Sequence, residues 1–144
     1  LPVDAEADNP SEWIANASIT RHLSAMSARH VLVIADSCYG GTLTRGILVP
    51  DRTPGYLERL AGRRSRTVMT SGGVEPVLDS GLGSHSVFAE ALLYELRSND
   101  GLLEANELFL KVRRRVANKA DQTPQFAPIP NAGHGDGEFL FLSQ

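Results

Sequence analysis

The stretch Val31-Leu32-Val33-Ile34-Ala35 is an uninterrupted apolar run, mostly β-branched, that stops at Asp36-Ser37-Cys38-Tyr39-Gly40-Gly41. Its composition reads as a strand over 31–35, covered on both faces and central in a parallel or mixed sheet. The carboxyl end of such a strand is the sheet edge where ligands and catalytic groups collect in α/β proteins. Cys38 is the only cysteine of the chain. A structural cysteine more often lies inside an apolar run as a small hydrophobe. Cys38 is expected just past the run, between an acid and two glycines that free the backbone to turn, which is the place of a nucleophile.

Composition narrows the remaining possibilities. The chain has 144 residues, 42% hydrophobic and 22% charged, enough for one domain, 1–144, with a real core. Fourteen basic against seventeen acidic residues leave a net charge of -3, which gives no electrostatic case for nucleic acid or an anionic membrane surface. No apolar stretch approaches the ~18 residues of a membrane span. A single cysteine excludes an intrachain disulfide framework, fits a reducing compartment and so suggests a cytoplasmic location. The sequon Asn16-Ala17-Ser18 is then idle.

Periodicity supplies the coarse architecture. Ile19, Leu23 and Met26 recur at helical spacing and predict a helix over 16–28 that leads into the strand. Residues 39–54, rich in Gly, Thr and Pro, read as a loop, and 56–61 as a short helix stopped by Gly62. A second strand is expected over 67–70 and a second loop over 72–84. Val87, Phe88, Ala91, Leu92 and Leu96 mark one amphipathic helix; Ala105, Leu108, Phe109, Val112 and Val116 mark another. Residues 122–137 hold three prolines and three glycines and should be irregular before a last strand over 139–142. About three strands and four helices in this order define a helix-covered α/β sheet, mixed or parallel.

Asp36-Ser37-Cys38-Tyr39-Gly40-Gly41 resembles the Asp-Ser-Cys-Tyr-Ser-Gly signature of the caspase-like cysteine peptidases, in the metacaspase, paracaspase and orthocaspase branch. Arg66-Thr67-Val68-Met69-Thr70-Ser71-Gly72-Gly73 resembles the next core strand of that fold, and His85-Ser86-Val87-Phe88 the opening of the following helix. Gln122-Thr123-Pro124-Gln125 and Gly137-Glu138-Phe139-Leu140-Phe141 resemble the family's tail. The resemblance implies a partial caspase-like domain bearing the nucleophile, and a cysteine endopeptidase with Cys38 attacking the scissile carbonyl and its backbone N–H serving the oxyanion hole. The family's catalytic His lies in a His-Gly motif upstream of a segment that Leu1-Pro2-Val3-Asp4-Ala5 resembles. The base is therefore expected on an upstream segment of the same protein, on a separate fragment, or absent. In the last case the chain would be a non-catalytic interaction or regulatory module.

The chain's own histidines are poor bases for Cys38. His30 lies eight residues before it, roughly 25 Å of extended chain away. His22 falls on the first helix. His85 opens a helix and reads first as a capping position. His134 sits in Gly133-His134-Gly135, which imitates a His-Gly motif but precedes the terminal strand.

Asp36 stands two residues before Cys38, so in an extended stretch its side chain is expected to point the same way as that of Cys38. In the resembled branch this Asp lines the primary specificity pocket, which implies cleavage of protein or peptide substrates after Arg or Lys through charge-assisted pairing. Asp36 as a mere turn cap is the alternative. Glu75 and Asp79 are weaker acidic candidates for the same pocket. Arg45 and Arg52, in the loop after Cys38, are candidate autoprocessing sites. The Gly-x-Ser-x-Gly elbow of serine hydrolases is missing around Ser37. Lys111, Arg113, Arg114, Arg115 and Lys119 fall in the last turns of a helix, where cations suit the dipole. His, Asp and Glu show no zinc spacing and no calcium-loop signature, so neither metal nor cofactor is expected.

Overall fold

A computed structural model describes residues 15–38, 55–72 and 85–143. In chain order these form α1 (Asn16–Ala25), β1 (His30–Cys38), α2 (Tyr56–Gly62), β2 (Ser65–Gly72), α3 (Val87–Arg97), β3 (Leu102–Glu104), α4 (Ala105–Ala117), β4 (Gln125–Pro128) and β5 (Leu140–Leu142). The main sheet has the order β1-β2-β4, with β1 and β2 parallel and β4 antiparallel to β2; β3 and β5 make a second, antiparallel pair. The described residues are thus a helix-covered mixed α/β sheet with four helices, the expected class.

Among the described residues the strand flanked on both sides is β2 rather than β1. Every residue of β2 is buried, whereas in β1 the residues from His30 to Val33 and Ala35 are half-buried and Ile34 is 41% exposed. Among the described residues β1 has a neighbour on one side only. The apolar run reported strand propensity but not strand position. β2, which carries Ser65, Arg66, Thr67, Thr70 and Ser71, was expected over 67–70, half its observed length.

Of its polar side chains Arg66 and Thr70 find side-chain hydrogen bonds, whereas the hydroxyls of Ser65, Thr67 and Ser71 are buried without a partner among the described residues. Arg66 is fully buried. Its guanidinium donates to the carbonyls of Leu23, Met26, Ala28, Arg29 and Ser65 at 2.6–3.1 Å, gathering the end of α1 and the α1–β1 connection under the sheet. Burial and the nearby Arg64 charge lower its pKa. On the opposite face, Met69 and Phe126 meet Phe88 and Leu92 of α3 and Leu108, Phe109 and Val112 of α4, with the Phe109 and Phe126 rings stacked at 5.5 Å. α3 and α4 are further clamped by Arg115, which pairs with Glu95 and lies 3.5 Å over the Tyr94 ring.

Two short strands escaped the sequence reading. β4 falls inside 122–137, where Pro124, Pro128 and Pro130 argued for irregular chain. β4 pairs through four residues with Pro128 at its end, a position that tolerates proline. β3 is three residues long, below the reach of any periodicity.

α4 has no side-chain cap of its own. Its first N–H groups are served by the chain entering β5: Ala105 N–H donates to the Phe139 carbonyl at 2.9 Å, and the Glu138 carboxyl accepts from Asn106 N–H. Burial, with Glu104 adding like charge, pushes the Glu138 pKa up to about 7 against those hydrogen bonds. The folded state therefore binds a proton more tightly than the unfolded chain, so stability is greatest below the unfolded value of 4.5 and declines as pH rises toward about 7. Thermal unfolding between pH 5 and pH 8 should show this decline, and Glu138→Gln should flatten it; an unchanged slope in the variant would dismiss Glu138 as its source.

Candidate active site

Parallel pairing runs from His30 opposite Ser65 to Cys38 opposite Gly72, so both strands end at the same sheet edge. Cys38 is the last residue of β1 rather than a residue beyond it. One extra residue enters β1 between Ala35 and Cys38, a bulge of the kind that re-aims side chains beside active sites. The bulge interrupts the two-residue alternation, so periodicity alone does not tie the directions of Asp36 and Cys38.

What aims Asp36 is α3. Ser86 is the N-cap of that helix, its Oγ accepting from Ala89 N–H at 3.0 Å. The same hydroxyl donates to Asp36 Oδ2 at 2.5 Å. Asp36 is exposed, with its carboxylate open to solvent. The edge also holds Ser71, whose hydroxyl is buried without a partner among the described residues, and Thr70, which donates to the Gly72 carbonyl at 3.1 Å. Neither Ser86 nor Ser71 was picked out from sequence. A serine directly before Val87-Phe88 was a legible N-cap signal, but its partner lies fifty residues away.

The histidines sort by sheet edge. His134 Nδ1 accepts from Arg66 N–H at 3.1 Å, and Arg66 is paired with Val31. Seven strand residues separate Val31 from Cys38, about 23 Å, so His134 belongs to the opposite edge. The chain that follows it is anchored to the same edge. Gly135 and Gly137 N–H donate to the Arg64 carbonyl, and a Cβ on Gly137 would lie 2.2 Å from the Arg63 carbonyl oxygen. Burial lowers the His134 pKa, partly offset by Asp136. His30 donates to the Arg63 carbonyl at 3.0 Å, also at that far edge, and His22 donates to the Ser18 carbonyl within α1. His85 is exposed and adjoins Ser86, which makes it the described histidine next to the Cys38 edge. Glu75, Asp79, Arg45 and Arg52 lie outside the described residues. Among the described residues no group of three or more His, Cys, Asp and Glu is arranged to hold a metal ion, and no helix is long and apolar enough to cross a membrane.

The strand-end Cys38, Asp36 two residues before it and Ser86 at the start of α3 thus lie at one edge of the sheet. A family model for the caspase domain matches residues 1–131. The chain belongs to that family, peptidase C14, and with it to the cysteine peptidases. No curated protein and no solved structure matches it.

Because Cys38 is the only cysteine, its alkylation by iodoacetamide reports a single thiol. His134→Gln should leave the pH profile of that alkylation unmoved; a displacement of about half a pH unit or more would return His134 to the site.

Proposed function

We propose that the protein is a cysteine endopeptidase of the metacaspase and orthocaspase type that cuts peptide bonds after Arg or Lys. The observation that carries this reading is the Asp36 carboxylate, exposed and fixed by Ser86 two residues before the strand-end Cys38, in a chain of the caspase-domain family. The Cys38 thiolate attacks the scissile carbonyl carbon, and the developing oxyanion is received by backbone N–H, that of Cys38 included. The imidazolium of the dyad protonates the leaving amine, giving an S-acyl enzyme. Water, deprotonated by the same imidazole, then releases the acid and restores the thiol.

The base comes from an upstream His-Gly segment of the same protein. Two observations support this source. His134 and His30 are tied to the far edge, and the free side of β1 among the described residues offers a ladder on which an added strand can pair. Asp36, assisted by Glu75 and Asp79, receives the cationic side chain that precedes the cut. Once active, the enzyme cleaves its own chain after Arg45 or Arg52.

The 144-residue chain alone should turn over an Arg-terminated fluorogenic peptide almost not at all, and joining it to its upstream His-Gly segment should restore turnover, which Cys38→Ala abolishes. Asp36→Asn in the active form should lower kcat/KM for Arg and Lys substrates by at least about tenfold. Strong activity of the isolated chain would refute the upstream base, an assembled protein still inert would favour the regulatory module, and preference for Asp-terminated peptides would refute the basic pocket.

A further inference from the structure

We propose that Ser86 is a positioning residue for substrate specificity: its hydroxyl orients the Asp36 carboxylate to receive a guanidinium or ammonium group. The inference rests on the reading of Asp36 as the receptor for the substrate's cation. A serine hydroxyl has one proton and two lone pairs. At Ser86 a lone pair is taken by Ala89 N–H, which fixes the oxygen at the start of α3. The proton goes to Asp36 Oδ2. The hydroxyl is thereby held from both sides, and with it the rotation of the carboxylate about its last bond.

The remaining acceptor capacity of Asp36 has no partner among the described residues, and the side chain is exposed. A carboxylate pinned through one lone pair and open at the others has the form needed for a two-pronged guanidinium contact, where misrotation of either plane loses a hydrogen bond. Pinning also removes the ordering cost that a freely turning carboxylate would meet on binding. The bulge between Ala35 and Cys38 gives this pin its purpose, because past a bulge strand alternation no longer sets the direction of the acid.

The test is equilibrium binding of a fluorescent peptide ending in arginine, compared with the same peptide ending in citrulline, which matches arginine in shape but is neutral. Binding needs no catalytic base, so the 144-residue chain suffices. The parent should prefer arginine by about tenfold or more, and Asp36→Asn should erase the preference. Ser86→Gly retains most of the helix start while removing the hydroxyl; it should cut the preference by about three- to tenfold, the worth of one hydrogen bond. Ser86→Thr, which restores the hydroxyl, should recover it. A parent without preference, or one that survives Asp36→Asn, would remove the receptor reading and this inference together. Loss in Asp36→Asn with full preference in Ser86→Gly would overturn the role of Ser86 alone, and so would equal losses in the Gly and Thr variants.

Discussion

The parallel ladder between β1 and β2 is the constraint from which the rest of the molecule follows. Parallel strands cannot be joined by a tight turn, so the chain must leave at one edge of the sheet and return to the other, here by way of α2. The two carboxyl ends therefore coincide. Cys38 comes to lie opposite Gly72, and α3 then begins at that edge, close enough for Ser86 to reach Asp36. A ladder of this kind needs both faces covered, and β2 is covered on both: Arg66 binds α1 and its connection to one side, and Met69 seats α3 and α4 on the other.

The two edges of the sheet differ in chemistry. At the amino edge, Arg64 and Arg66 are consumed by backbone carbonyls, and His134 and His30 are consumed by the backbone of Arg66 and Arg63. These groups are charged or titratable, yet each is committed to holding connections in place. At the carboxyl edge the acid is exposed and only partly engaged, and a buried hydroxyl, Ser71, has no partner among the described residues.

Much of the fold was legible in the sequence because helices announce themselves. Val87 to Leu96 and Ala105 to Val116 have one-sided spacing, and both helices form where it indicates. β1 was legible from its β-branched run, though its extension through Cys38 was not, since Asp and Ser do not advertise strand. β2 was shortened because the burial of Arg66 depends on carbonyls elsewhere in the chain and Ser65 and Ser71 do not advertise a strand, and β4 was hidden by prolines that the edge position tolerates. In the site, Cys38 and Asp36 could be singled out from local residue order. Ser86 could not, because its bond to Asp36 spans fifty residues and exists only once β1 and α3 are assembled.

The central claim is that Cys38 is a nucleophile served by a pocket for basic side chains. The most direct measurement is covalent capture: the protein joined to its upstream His-Gly segment is treated with peptidyl acyloxymethyl ketones ending in Arg or in Asp, and the modified peptide is mapped by mass spectrometry. The account predicts one adduct, on Cys38, from the Arg probe at concentrations where the Asp probe leaves the protein untouched. Labelling by the Asp probe in preference, or an Arg adduct carried by a residue other than Cys38, would contradict it.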